Sequence, residues 1–376
     1  MEKFGKSQPV RRVEDLRFLT GGGGYIDDVA PVGALHAYVF RSPVAHARII
    51  SLDLEEARAA DGVHLVLSSD DLDAAGITTA MRATILDNRD GTKAAAPVRP
   101  FLARGRVRFV GDPVAMIVAD SPEQARDAAE LIVLDYEELP VKTDVGPGGA
   151  PLHDEAPDNR AFDWGMGDEA ATDAAFAAAA HVVRLNVGDN RIIVNSMEPR
   201  GCFADWDGNR LHVAFNGQGV WGLKDQLCAM TGLPPENVRV TIPDVGGGFG
   251  MKAMPYPEYF VVAQAARMLA RPVRWMSERT EAMLSDNGGR DLESLAELAF
   301  DENHKITAYR VRTKCNLGAY NSQFAQPIQT LLFSKVLMGC YDVQTTWLQV
   351  KGYYTNTAQV DAYRGAGRPE AIYVLE

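Results

Sequence analysis

The chain has 376 residues, 46% of them hydrophobic and 23% charged, and carries a formal net charge of −12. That length allows two domains with cores of their own, and the composition is ordinary for a folded globular protein. The acidic balance argues against nucleic acid and anionic membranes as partners, since both are gripped by clustered Lys and Arg. No apolar run approaches membrane-spanning length, and Met1–Lys6 has no apolar core behind it, so no signal peptide is read and a cytoplasmic location is expected.

Cys202, Cys228, Cys315 and Cys340 are not at Cys-x-x-Cys spacing, so they read as reduced thiols rather than zinc or iron–sulfur ligands. The seven histidines are scattered, without a His-x-x-x-His or Glu-x-x-His pair, and no metal held by protein side chains is expected. His46, His181 and His212 lie in apolar runs and read as core histidines.

Residues 1–17 form a polar arm that leads into Leu19-Thr20-Gly21-Gly22-Gly23-Gly24-Tyr25, whose four glycines predict a turn. Leu35–Phe40 reads as a strand broken by Arg41-Ser42-Pro43, and His46–Leu52 as the next. Asp53 and Glu56 predict a capping box for a helix over Leu54–Ala60, with Gly62 ending it and Val63–Leu67 a strand. Pro113–Ala119 is a strong strand. Ser121 as N-cap, Pro122 at the first helical position and Gln124 completing the box then start helix 122–131, before strand 132–138. Two strand–helix–strand units predict a compact α/β domain over 18–143, with 78–100 as a long loop that is exposed unless a partner covers it.

Gly and Pro mark 144–160 as a linker. The second domain, 161–376, is expected to contain helix 170–180, strands 182–187, 191–196 and 210–216, and helix 220–231. After them come a β-branched strand at Val238–Ile242, an apolar helix Tyr259–Leu269, strand 273–276 and alternating runs at 293–300 and 305–315. The chain stops inside the apolar stretch Ala371–Leu375, which reads as the interior of a longer or split polypeptide.

Four segments carry the chemistry. After Val238–Ile242 come Gly246-Gly247-Gly248-Phe249-Gly250-Met251-Lys252, where missing side chains let backbone approach a bulky group and leave N–H groups free. It matches neither G-x-G-x-x-G nor the Walker pattern well. Asn195-Ser196-Met197-Glu198-Pro199-Arg200-Gly201 reads as a strand entering a polar cluster, either functional or a structural Glu198–Arg200 charge arrangement. Asn216-Gly217-Gln218-Gly219 sets one amide between two glycines, able to donate to a ligand or to bond the loop. In Ala362-Tyr363-Arg364-Gly365-Ala366-Gly367-Arg368-Pro369-Glu370, two arginines flank a Gly-Ala-Gly turn suited to anion recognition.

These segments, with Leu19-Thr20-Gly21, Arg41–Ile49, Gly289-Arg290-Asp291 and Asn316–Tyr320, resemble the N-terminal part of a molybdopterin-binding large subunit of the xanthine dehydrogenase and aldehyde oxidase family, nearest the aerobic carbon monoxide dehydrogenase type. The resemblance runs from about residue 10 to the end. It implies an α+β fold, a small α/β hammerhead-like domain followed by a mixed α/β molybdopterin-binding domain incomplete at its C-terminus.

It also implies a molybdenum–molybdopterin cofactor, in bacteria usually the cytosine dinucleotide. The activity implied is hydroxylation of an aldehyde or N-heteroaromatic carbon with water as oxygen source. Electrons would pass to [2Fe-2S] and FAD partner subunits, in a dimer of heterotrimers. By position, Gln218 would donate to an oxo ligand; Gly247, Gly248, Phe249 and Gly250 would pack beneath the centre; Arg364, Gly365, Ala366 and Gly367 would line the other side.

Ala253 stands where purine oxidisers carry a glutamate, and the 362–368 loop lacks the cysteine of carbon monoxide oxidisers, so neither xanthine nor carbon monoxide is expected. The family's catalytic glutamate would lie beyond residue 376, none of Glu198, Glu258 or Glu370 matches its motif, and the isolated chain is expected not to turn over. Two alternatives stand beside this reading: a non-catalytic assembly module of the same fold, and a phosphate- or nucleotide-binding enzyme using Gly246–Lys252.

Overall fold

The computed structural model describes residues 11–376; the readings at Met1–Lys6 and the first ten residues of the arm lie outside them. The strands are β1 (Leu35–Arg41), β2 (Ala47–Asp53), β3 (Val63–Leu67), β4 (Arg106–Val107), β5 (Pro113–Ala119), β6 (Val133–Glu138), β7 (Arg160–Gly167) and β8 (His181–Asp189). They continue with β9 (Gly201–Trp206), β10 (Leu211–Phe215), β11 (Val238–Thr241), β12 (Val273–Met276), β13 (Leu292–Phe300), β14 (Ile306–Gly318) and β15 (Thr345–Tyr354). They form a seven-stranded sheet β11-β10-β9-β12-β1-β5-β3, a five-stranded sheet β7-β15-β14-β13-β8 and a three-stranded sheet β4-β2-β6.

The two strand–helix–strand units do not return to one sheet. β2 pairs antiparallel with β6, and β3 pairs antiparallel with β5, so helices Glu55–Ala59 and Pro122–Glu130 cross between sheets. Burial explains the sorting. Every residue of β5 is buried, which demands a central position between β1 and β3, whereas the half-exposed β2 and β6 suit a small solvent-facing sheet.

The large sheet crosses the expected domain boundary, because β1 runs parallel to β12 while its other edge takes β5. One apolar cluster follows it across: Leu35, Val39 and Phe101 pack with Val213, Tyr259 and Val262. Phe101 stacks on Phe260 at 4.7 Å. The two parts of the chain therefore share this core in addition to clusters of their own, such as Leu54, Ile117 and Ala128 in the first and Phe162, Tyr309 and Leu348 in the second.

Nor does 144–160 hang free. Leu152, His153 and Asn159 are buried, and Asn159 donates to the Gly148 and Ala150 carbonyls. Loop 78–100 is tied to the rest of the chain where Ala95 N–H donates to Ala161 O and Leu86 N–H to Gln326 Oε1, while its tip, 89–93, is exposed.

Several local expectations change. Segment 191–196 is irregular, with Asn195 at φ 49°, and β4, β7, β9 and β15 stand where no strand is expected from the sequence. The Asp53–Glu56 box does not form: Asp53 accepts from Glu55 N–H, and the cap position falls on Leu54. Ser121 does cap its helix by accepting from Gln124 N–H, but the Gln124 amide lies against Gly62 instead of completing a box. A full capping box stands unforeseen at Ser68 and Asp71. His46 is buried as expected; His181 is exposed at the free edge of β8 and stacks on His304.

Candidate functional site

β10 and β11 are parallel neighbours, Leu211 opposite Val238 through Ala214 opposite Thr241, so both chains leave the sheet at the same end. That brings Gln218 beside the glycine loop. The Gln218 N–H donates to Lys252 O (3.0 Å), and Gly250 N–H donates to Gln218 Oε1 (2.8 Å). The third segment closes on both: Arg364 N–H donates to Phe249 O (2.9 Å), and the Arg364 guanidinium lies 5.8 Å from the Phe249 ring centroid.

The backbone is held where only glycine is comfortable. Gly247, Gly250, Gly365 and Gly367 have φ of 103°, 98°, 105° and 83°, and Phe249 and Ala366 join them at 52° and 47°. A Cβ on Gly248 would stand 2.5 Å from Gln218 Oε1, and one on Gly250 2.8 Å from the Ala362 carbonyl, so neither position has room for a side chain.

What the cradle offers is a set of donors. The N–H groups of Gly247, Gly248, Phe249 and Gly365 find no acceptor among the described residues. Because Gly250 N–H occupies Gln218 Oε1, the amide nitrogen of Gln218 is turned away as a free donor. Gln218, Phe249 (44% exposed) and Arg364 face solvent on this side. Among the described residues no group of three or more His, Cys, Asp or Glu could hold a metal ion, so these donors suit a group that accepts hydrogen bonds and brings its own ligands. The residues fit such a group.

Beneath the cradle the charges pair differently from the sequence reading. Glu198 and Arg200 do not meet. Glu198 accepts from Gly246 N–H (2.8 Å) and from the ammonium of Lys252 (3.1 Å). Lys252 is fully buried; burial lowers its pKa while Glu198 opposes that shift. Its ammonium is thus committed inside the protein, which counts against a phosphate-binding loop that needs a free lysine.

Arg200 instead bonds Glu258 (3.0 Å), Asp286 (2.5 Å) and Ser285 (3.0 Å), and lies 3.8 Å over the Tyr256 ring. Glu258 also takes Arg41 at 2.6 Å, and the two arginines hold its carboxyl well below the usual range against the cost of burial. Glu370 is bonded to Arg290 and buried, with its pKa raised mainly by that burial. None of these three carboxylates is available as an unpaired base at the loops.

The 362–368 loop has a support that the pattern of residue types did not reveal. Arg290, at φ 65°, donates to Tyr363 O, Arg364 O and Glu370 Oε1 at 2.8–2.9 Å. Gly289 makes room for Tyr363, whose Cβ lies 2.2 Å from where a glycine-289 Cβ would be. Arg368 does not reach outward as an anion clamp; it donates back to Gly365 O (3.0 Å).

Comparison with known proteins agrees with this architecture. Residues 20–140 match the family described as aldehyde oxidase and xanthine dehydrogenase, a/b hammerhead domain, and residues 152–376 match the molybdopterin cofactor-binding domain. The chain is 34% identical to the carbon monoxide dehydrogenase large chain of Hydrogenophaga pseudoflava, over 96% of this chain and 46% of that protein. It is likewise 34% identical to the nicotine 6-hydroxylase large subunit of Paenarthrobacter nicotinovorans, over 97% and 44%. Its fold superposes on quinoline 2-oxidoreductase from Pseudomonas putida 86 with a TM-score of 0.87 and 35% identity, covering 95% of this chain and 45% of that one. The chain thus spans a little under half the length of these relatives. With a hammerhead region followed by a molybdopterin cofactor-binding region, it belongs to the molybdopterin-binding large subunits of the xanthine dehydrogenase and aldehyde oxidase family.

Proposed function

We propose that this chain supplies one wall of a molybdenum–molybdopterin site, with the cofactor in its cytosine dinucleotide form, in an enzyme that hydroxylates an N-heteroaromatic carbon or an aldehyde. The observation that carries the reading is the convergence of Gln218, Gly247–Gly250 and Arg364–Gly367 into one donor-lined cradle. The heteroaromatic class is favoured by the names of two relatives, a nicotine hydroxylase subunit and a quinoline oxidoreductase. A carbon monoxide oxidiser is disfavoured because Ala362–Arg368 contains no sulfur.

The bound cofactor would supply two-electron oxidation of the substrate carbon with water as the oxygen source. The chain's own part is positional. Gln218 would donate its free amide N–H to an oxygen of the cofactor, and the N–H groups of Gly247, Gly248 and Phe249 would hold fixed dipoles toward it. Arg364, Gly365, Ala366 and Gly367 would form the facing side, where the exposed guanidinium would balance anionic charge.

Electrons leave through partner subunits carrying [2Fe-2S] and FAD, within a cytoplasmic dimer of heterotrimers. The hammerhead unit is 18–143, and 161–376 is the first cofactor-binding unit. The isolated chain is expected not to turn over, since none of Glu198, Glu258 and Glu370 matches the family's catalytic glutamate and each is bonded inside the protein.

Isolation from the native host with its associated chains tests this. About one molybdenum and one pterin per chain are expected, together with dye-linked oxidation of quinoline- or nicotine-type rings that takes up label from H₂¹⁸O. A bound nucleotide without molybdenum would overturn the reading and favour the phosphate-binding alternative.

A further inference from the structure

We propose that Glu198 and Lys252 form a buried latch that sets the direction of the glycine-loop donors, making both of them positioning residues for the cofactor; this rests on the cofactor-binding reading above. Glu198 meets the start of the loop twice, its N–H donating to Gly246 O (3.1 Å) and its Oε2 accepting from Gly246 N–H (2.8 Å). The same Oε2 accepts from Lys252 at the loop's other end (3.1 Å), and Lys252 also donates to the Glu198 carbonyl (2.8 Å), which Ser196 Oγ reaches at 2.7 Å. Residues 246 and 252 are thus bolted to a single residue. The turn between them, with positive φ at Gly247, Phe249 and Gly250, has both ends fixed.

The latch extends to the amide. Lys252 O accepts from Gln218 N–H, and Gly250 N–H fixes Gln218 Oε1, so moving Lys252 turns Gln218 as well as the loop. Gly246 itself must lack a side chain, because its Cβ would stand 2.5 Å from that of Glu198. A charge pair suits this task better than an apolar plug. Lys252 is wholly buried and must have its counter-charge, so the loop closes in one register, the one that brings the ammonium to the carboxylate.

A purely structural pair would lower stability and nothing else; a positioning pair changes the cofactor's surroundings. In the complete molybdenum enzyme, E198Q preserves shape and the acceptor for Gly246 but removes the charge. The expected result is near-native molybdenum and pterin content, an altered Mo(V) electron paramagnetic resonance spectrum after dithionite reduction, and kcat lower by on the order of 10- to 100-fold, the cost of misplacing a catalytic group. KM stays close to native, and E198Q/K252M is no worse than K252M, because the two act as one unit.

A loaded E198Q enzyme with native spectrum and native kcat overturns the proposal. Should the variants fail to fold, hydrogen exchange on the wild-type chain without cofactor decides. The latch requires slow exchange at Gly246, Gly250 and Gln218 beside fast exchange at Gly247–Phe249, and fast exchange at Gly246 refutes it. A wild-type enzyme devoid of molybdenum would sink the cofactor reading instead, while the exchange pattern would still report on the latch.

Discussion

Replacing Glu258 with glutamine tests how the two parts of the chain are joined. Glu258 begins the buried helix Pro257–Leu269 and receives Arg41 from the end of β1 at 2.6 Å and Arg200 from the start of β9 at 3.0 Å. Both arginine side chains are nearly dry, at 8% and 0% exposure. Breaking a buried ion pair from one side costs about 3–5 kcal/mol. The lower end applies here, because Arg41 keeps Glu281 (2.6 Å) and Arg200 keeps Asp286 (2.5 Å).

If the shared sheet makes the chain one cooperative unit, an unfolding entropy of about 2.1 cal/mol/K per residue turns roughly 3 kcal/mol into a fall in Tm of about 4 °C. Arg200→Met should cost more, since it strands Asp286 as well as half of Glu258. Because the Glu258 carboxyl is held below its ordinary value, its stabilisation is present above the unfolded pKa of about 4.3 and is lost only as pH falls through the lower folded value. The E258Q deficit should therefore be flat from pH 8 to 5 and shrink in stronger acid. Scanning calorimetry on wild type and both variants gives the answer; an E258Q loss below about 1 kcal/mol, or R200M milder than E258Q, would refute the reasoning.

Gln218→Ala removes an exposed donor together with the acceptor of Gly250 N–H, so it should cost at most about 1 kcal/mol of stability while lowering kcat of the complete enzyme by about 10²–10³, the usual cost of one preorganised donor; unchanged kcat would remove Gln218 from the site. Gly289→Ala forces a methyl group onto Tyr363, so denaturant titration should show a loss of about 1–3 kcal/mol, and metal analysis reduced molybdenum retention through the displaced 362–367 loop. Burial pushes the Asp112 carboxyl up to about 6, so the folded chain holds a proton that the unfolded one releases near 3.9. Stability from this group is full below about pH 4 and falls by roughly 3 kcal/mol as pH rises through 6. Asp112→Asn, which can still accept from Arg108 N–H, should remove that part of the slope in urea titrations at pH 4.5 and 7.5, while Asp361, also pushed to about 6, keeps the remainder.

Much of the local structure was legible. β5 is an unbroken apolar run, Ser121-Pro122 announces the helix after it, and β12 and helix Trp221–Thr231 fall within a residue of their expected bounds. β15 escaped notice because Gln349 and Lys351 interrupt its apolar run, and β9 because Asp205 ends it early. The cradle was legible for a related reason. Clustered glycines and a lone amide are unusual in themselves, and the sequence alone marks where side chains are missing.

Partner choice was not legible. Glu198 and Arg200 lie two residues apart, yet their charges go to Lys252 and to Glu258 with Asp286, and Arg290 holds a loop more than seventy residues downstream. Periodicity, capping and glycine freedom are decided by each residue and its near neighbours, so the sequence by itself determined most of the strands and helices and the bare backbone of the loops. Which strand lies beside which, and which buried charge meets which, depends on groups far apart in the chain brought together by a shared core. Only the tertiary structure could decide that the sheet runs through the expected boundary and that the glycine loop closes on a buried lysine.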